Sequence, residues 1–207
     1  MQALFVHGMG RTPMSGWRLL ARLKAKGIES SSFGYAVTFQ DFTAIRKRLV
    51  KKITALGAHG DYVLIGHSLG GVLLRAAVAS LPTGTRLPHR VFLLASPVRP
   101  SRIAQKLQRN WVFRILAGDC GQLLGSETRM EHIGAHSIPT TSILGVAGWR
   151  GKFSPFQNEM NDGIVAVCEA SAAWIAERIC IPVFHTYMPS NKRVAQMILE
   201  RIAADAA

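Results

Sequence analysis

The sequence predicts an α/β fold, a doubly wound and mostly parallel sheet with helices on both faces. Two observations predict it. Short apolar runs alternate with amphipathic helical segments along the chain, the pattern of strands joined by helical crossovers. The stretch Leu64-Ile65-Gly66-His67-Ser68-Leu69-Gly70-Gly71 runs from an apolar strand through a tight turn directly into a helix. At 207 residues the chain is long enough for one sizeable core and short for two, so it reads as one domain, 1–207.

The elements follow in order. Ala3 to Val6 is an apolar strand, Trp17 to Lys26 a helix, and Phe33 to Val37 a weaker strand preceded by Ser30-Ser31-Ser32, which reads as a turn or loop. A basic helix covers Phe42 to Leu56. Asp61 to Ile65 is a buried strand, and the helix after it, Leu69 to Ser80, is stopped by Pro82. Arg90 to Ala95, Thr140 to Val146 and Ile181 to Phe184 complete the strands, and a helix from about Asn191 to Ala204 closes the chain. The interval from Pro97 to His136 breaks the rhythm: it has helical patterning and no convincing strand, and reads as a cap inserted over the sheet edge. Within it Arg102, Lys106 and Arg109 share one helical face, while Ile103, Leu107, Trp111, Ile115 and Leu116 offer an apolar one.

Composition narrows the function classes. Nearly half of the residues are apolar, as in a packed globular protein. The formal net charge is +13, and between Phe42 and Gly118 the only acidic residue is Asp61, so one half of the molecule carries a positive field that favours anionic partners. Cys120, Cys168 and Cys180 are odd in number and lack ligand spacing, which argues against a disulfide framework or a zinc site and for buried free thiols. No run approaches the ~20 apolar residues of a membrane span, and Met1 leads straight into a strand without a basic leader. These features point to a cytoplasmic protein, with peripheral contact to an anionic membrane as its one membrane role.

Gly66-His67-Ser68-Leu69-Gly70 is a Gly-x-Ser-x-Gly sequence between a strand and a helix. A serine held on so sharp a turn is exposed, and small neighbours leave room for the turn and for substrate. Serine is a poor nucleophile at neutral pH, so such a site needs a histidine base, a carboxylate to orient it and donors for the oxyanion. On these residues the chain resembles a small alpha/beta-hydrolase of the lipase and esterase kind, over nearly its whole length. The resemblance implies the order nucleophile, acid, histidine, a sheet of about six strands, and no metal or organic cofactor.

Carried over residue by residue, His7-Gly8-Met9-Gly10 after the first strand is similar to the His-Gly segment of lipases, which makes the backbone amides of Met9 and Leu69 the oxyanion hole. Asn161-Asp162-Gly163-Ile164-Val165 resembles the acid loop, with Asp162 as the acid and Glu159 and Asp119 as substitutes. His185 in Val183-Phe184-His185-Thr186 takes the place of the base. His132 and His136 precede Asp162 and fit the chain order badly, and His59 and His89 fall at the wrong ends of strands.

The substrate is less legible. Trp111, Phe113, Leu116, Leu123 and Leu124 in the cap, with Trp149, Phe153 and Phe156 before Asp162, are candidates for an acyl pocket or for packing the cap onto the sheet. Arg46, Lys47, Arg48, Lys51 and Lys52 are a solvated helix face or a dock for acidic lipid. Nucleic acid is disfavoured, because no stacking or reading element accompanies the charge. The expected activity is hydrolysis of lipid-like or small acyl esters. A thioesterase or acyltransferase with the same triad, and a non-catalytic binder of membrane or nucleic acid on this scaffold, stand as alternatives.

Overall fold

A computed structural model of the chain describes residues 1–205. Six strands form one sheet in the order β2-β1-β3-β4-β5-β6, every neighbouring pair parallel. They are β1 (Gln2–Val6), β2 (Glu29–Phe33), β3 (Tyr62–His67), β4 (Arg90–Leu94), β5 (Thr140–Gly145) and β6 (Glu177–Ile181). Parallel strands need long crossovers, supplied here by α1 (Trp17–Lys24), α2 (Phe42–Ala58), α3 (Leu69–Val78) and the insertion helices α4 (Arg102–Leu107), α5 (Trp111–Gly125) and α6 (Glu127–Glu131). α7 (Lys192–Asp205) follows the last strand.

The strands alternate their side chains between two cores. Ala3, Phe5, Val63, Ile65, Phe92 and Leu94 meet Leu19 and Leu23 of α1 and Val194 and Ile198 of α7. Leu4, Val6, Leu64, Val91 and Leu93 meet α2, α3 and the insertion. The central strand β3 is buried along its whole length, as expected of a strand covered on both faces. Because β1 leads to α1 on one face and β3 to α3 on the other, the loops at their carboxyl ends diverge, and the crevice between them is where ligands of such sheets bind.

Two strands lie elsewhere than expected. β2 is Glu29–Phe33, not Phe33 to Val37: the serines pair in register with β1, Ser30 is buried, and as an edge strand β2 tolerates the polarity that reads as a turn. β6 is Glu177–Ile181, not Ile181 to Phe184. Pro182, which has no N–H to give a ladder, ends it, and Glu177 at its start pairs with Arg201 of α7.

The insertion between β4 and β5 is helical as expected, with α5 broken at Gly118 (φ +53°), where a side chain would overlap the Val37 carbonyl. Its packing face differs from the expected one. Ala104, Ala117, Cys120, Leu123 and Leu124 are buried, while Trp111, Ile115 and Leu116 are 71%, 58% and 60% exposed. Of the cysteines, Cys120 is buried and Cys168 and Cys180 are exposed, so the expectation of three buried thiols holds for one. Among the described residues no helix is long and apolar enough to cross a membrane.

Candidate functional site

β3 delivers Ser68 into a φ of 53° and ψ of −124°, a left-handed conformation that favours glycine, and α3 starts at the next residue. A strained residue of this kind costs about 1–3 kcal/mol and persists only where its surroundings hold it. Those surroundings are visible. Ser68 N–H donates to Leu94 O of β4 at 3.0 Å, and a side chain at Gly70 would overlap the Val6 carbonyl of β1. One at Gly66 would overlap Gly71. The Gly-x-Ser-x-Gly spacing is thus the condition for α3 to start against two strands.

The segment after β1 lies against this turn. A Cβ at Gly8 would come within 3.1 Å of Ser68 Cβ. Met9 N–H donates to no acceptor among the described residues, and Leu69, at the first position of α3, carries one of the amides a helix start leaves unpaired. His7, 1% exposed, fixes this segment. Its Nδ1–H donates to Gly8 O (2.8 Å), so Nε2 is the acceptor for Tyr35 N–H (3.4 Å). Tyr35 Oη–H donates to His7 O (2.7 Å), and the rings stack 4.2 Å apart. Burial lowers the His7 pKa and keeps the neutral tautomer that both bonds require.

Asp162 and His185 meet beyond β5 and β6. His185 Nδ1–H donates to Asp162 Oδ2 at 2.7 Å. Asp162, 2% exposed, also accepts on Oδ1 from Ile164 N–H (2.9 Å) and Val165 N–H (2.7 Å), and its carbonyl accepts from His185 N–H (3.0 Å). The carboxylate is fully partnered and the imidazole presents Nε2 as an acceptor. The alternative acids are committed elsewhere. Glu159 is bidentate to Arg102 (2.9 and 2.7 Å), which holds its pKa down at about 2, and Asp119 pairs with Arg129 (2.7 Å) and accepts from Phe42 N–H.

The serine and the His–Asp pair are joined through His67. Its Nε2–H donates to His185 O at 3.0 Å, the two rings are 4.8 Å apart, and burial drives its pKa far down. Ser68 Oγ and His185 Nε2 make no direct hydrogen bond in this structure, and contacts of this type tighten when substrate binds. The links made by His67 and Tyr35 are tertiary, and nothing in the sequence marks them.

The candidate acyl-pocket residues divide. Phe156 (1% exposed) packs under the Arg102 guanidinium, and Leu123 and Leu124 belong to the core, Leu123 also bordering a cavity with Phe42, Ala76 and Ile133 that contains none of Ser68, Asp162 and His185. Phe113 packs against the core and Trp111, Trp149 and Phe153 are exposed. Lys47, Arg48, Lys51 and Lys52 are solvated on α2, with Arg48 also stacked on Phe33. Among the described residues no group of His, Cys, Asp and Glu is arranged to hold a metal.

A serine on a strained strand-to-helix turn beside a buried His–Asp pair, on a parallel doubly wound sheet, defines a serine hydrolase of the esterase type. The chain belongs to the alpha/beta hydrolase family, whose model matches residues 3–197. Among solved structures it is similar to a mature lipase of Bacillus licheniformis, with a TM-score of 0.77 and 16% identity over 97% of this chain and 91% of that one. A metagenomic carboxyl esterase matches with a TM-score of 0.72 and 14% identity over 99% and 76%. The RedJ thioesterase of Streptomyces coelicolor matches with 0.63 and 13% over 99% and 85%. No curated protein matches the sequence.

Proposed function

We propose that the protein hydrolyses carboxyl esters through an acyl-enzyme on Ser68, with His185 as base and Asp162 as the acid that orients it. The observation that carries this reading is the 2.7 Å bond from His185 Nδ1–H to the fully partnered Asp162, which makes Nε2 the acceptor of a ring that His67, the neighbour of the strained Ser68, holds through the His185 carbonyl. His185 Nε2 takes the Ser68 proton as Oγ attacks the ester carbonyl. The Met9 and Leu69 amides receive the oxyanion, and Asp162 stabilises the imidazolium. The proton then passes to the leaving alcohol as its C–O bond breaks, and water, activated by the same His185, releases the acid.

Lipid-like acyl esters are the substrate class that the surface supports. Phe39, Trp111, Leu116, Trp149 and Phe153 are all more than half exposed, on segments that follow the carboxyl ends of β2, β4 and β5. Apolar side chains exposed this widely around a crevice suit an acyl chain or the rim of an anionic bilayer better than bulk water. The test is a panel of p-nitrophenyl esters and matching thioesters of rising chain length. The reading predicts a pre-steady-state burst, turnover that rises with chain length, and loss of both in Ser68→Ala. Equal hydrolysis by Ser68→Ala would sink it.

A further inference from the structure

Arg11 occupies a place that the hydrolytic reading leaves unused. It follows Met9 by two residues, across the positive-φ turn at Gly10, and its Nη2 reaches over to Thr186 O at 3.4 Å, the carbonyl of the residue after His185. The guanidinium therefore lies across the seam between the segment that carries the Met9 amide and the segment that carries His185. It has no carboxylate partner among the described residues. Asp162, the carboxylate of the segment that carries His185, is committed to His185 and two amides. Arg11 is close enough that its charge adds to the burial that keeps His67 neutral.

A base that passes its proton to the leaving atom stands on the leaving-group side of the scissile bond. Arg11 is bonded to the carbonyl of the residue next to that base. Its single long bond to a carbonyl leaves the rest of the planar donor fork open, and that fork matches phosphate and carboxylate oxygens. We propose that Arg11 is a specificity-determining residue that selects acyl donors whose leaving group carries a phosphate or carboxylate. The inference rests on the assignment of Ser68 and His185 given above. The anionic group takes no part in the bond changes. The Ser68 Oγ–C bond forms, the C–O or C–S bond to the leaving group breaks, and the Ser68 proton travels through His185 to the departing oxygen or sulfur.

Two substrate pairs of equal acyl chain test it. Butanoylglycerol phosphate against butanoylglycerol isolates a lipid-type phosphate, and butanoyl-coenzyme A against S-butanoyl-N-acetylcysteamine isolates a coenzyme-type one. The readout is the ratio of kcat/KM, anionic over neutral, for the native protein, Arg11→Gln and Arg11→Lys. In at least one pair the native ratio exceeds one, falls about tenfold or more in Arg11→Gln, falls less in Arg11→Lys, and shrinks at high salt. The pair that responds names the source of the phosphate. A ratio unmoved by Arg11→Gln in both pairs, with Ser68 still labelled by a fluorophosphonate, would overturn the inference alone. A native protein that is not labelled at Ser68 would overturn the reading beneath it as well.

Discussion

Replacing Asp162 by Asn keeps the shape of the site and inverts its chemistry. Asp162 Oδ1 accepts from two backbone amides at 2.9 and 2.7 Å, while Oδ2 faces His185 Nδ1 at 2.7 Å. The asparagine oxygen must stay on the two amides, because an NH2 there would face two donors. The NH2 is therefore turned to His185, Nδ1 becomes the acceptor, and the ring proton moves to Nε2, where it blocks removal of the Ser68 proton. A histidine in the wrong tautomer costs about 10⁴-fold in kcat, about 5 kcal/mol of transition-state stabilisation. Folding loses less, about 1.5–3 kcal/mol for the weakened charge-assisted bonds. The assay is kcat/KM on p-nitrophenyl butyrate beside thermal unfolding followed by circular dichroism. A folded Asp162→Asn protein with less than about a tenfold loss would refute the reasoning.

Other perturbations test the frame around the site. Gly70→Ala places a methyl on the Val6 carbonyl, so β1 and α3 must separate. Activity falls with the Met9 segment displaced, and urea unfolding shows a loss of about 1–3 kcal/mol; a variant as active and stable as the native protein would contradict the close approach. Glu159→Gln removes a link between α4 and the acid loop. Arg102 depresses the Glu159 pKa from 4.5 to about 2, so the stabilisation is present above about pH 4.5 and disappears as pH falls toward about 2. Glu159 is half exposed, which limits the effect to about 1 kcal/mol or less. Melting curves of native and variant proteins should differ at pH 7 and converge in acid, and a constant gap would count against the link. Arg75 is 2% exposed, donates to Gly134 O and stacks on Trp174, yet its Nε and Nη1 have no partner, and burial pushes its pKa down to about 10. Arg75→Met relieves that desolvation and should leave stability equal or higher; a drop in Tm of many degrees would show that the guanidinium holds the β5 approach in place.

Most of the fold was legible because periodicity and apolarity report directly on buried parallel strands. β1, β3, β4 and β5, with the helices between them, fall where the pattern puts them. The two misplaced strands are the sheet edges. There β2 buries only part of its serine face, and β6 opens on two charged residues, of which Glu177 is met by Arg201 of α7 and Thr141 of β5, so pairing partners decide rather than local apolarity. The Ser68 turn is readable because its steric demands fall on neighbours in sequence. The Asp162–His185 bond came from chain order in a family resemblance, and its geometry rests on amides of Ile164 and Val165 that no side-chain pattern encodes. The insertion was legible as helical but not in its orientation. Trp111, Ile115 and Leu116 carry the apolarity, yet Cys120 and Leu123 enter the core shared with α2 and α3, and Ala117 is buried.

The central claim is that Ser68 is activated, and the most direct measurement is intact mass after exposure to a fluorophosphonate, for the native protein and for Ser68→Ala. The account predicts one adduct on the native protein, mapped to Ser68, and none on the variant. No adduct on the folded native protein, or an equal adduct on Ser68→Ala, would contradict it.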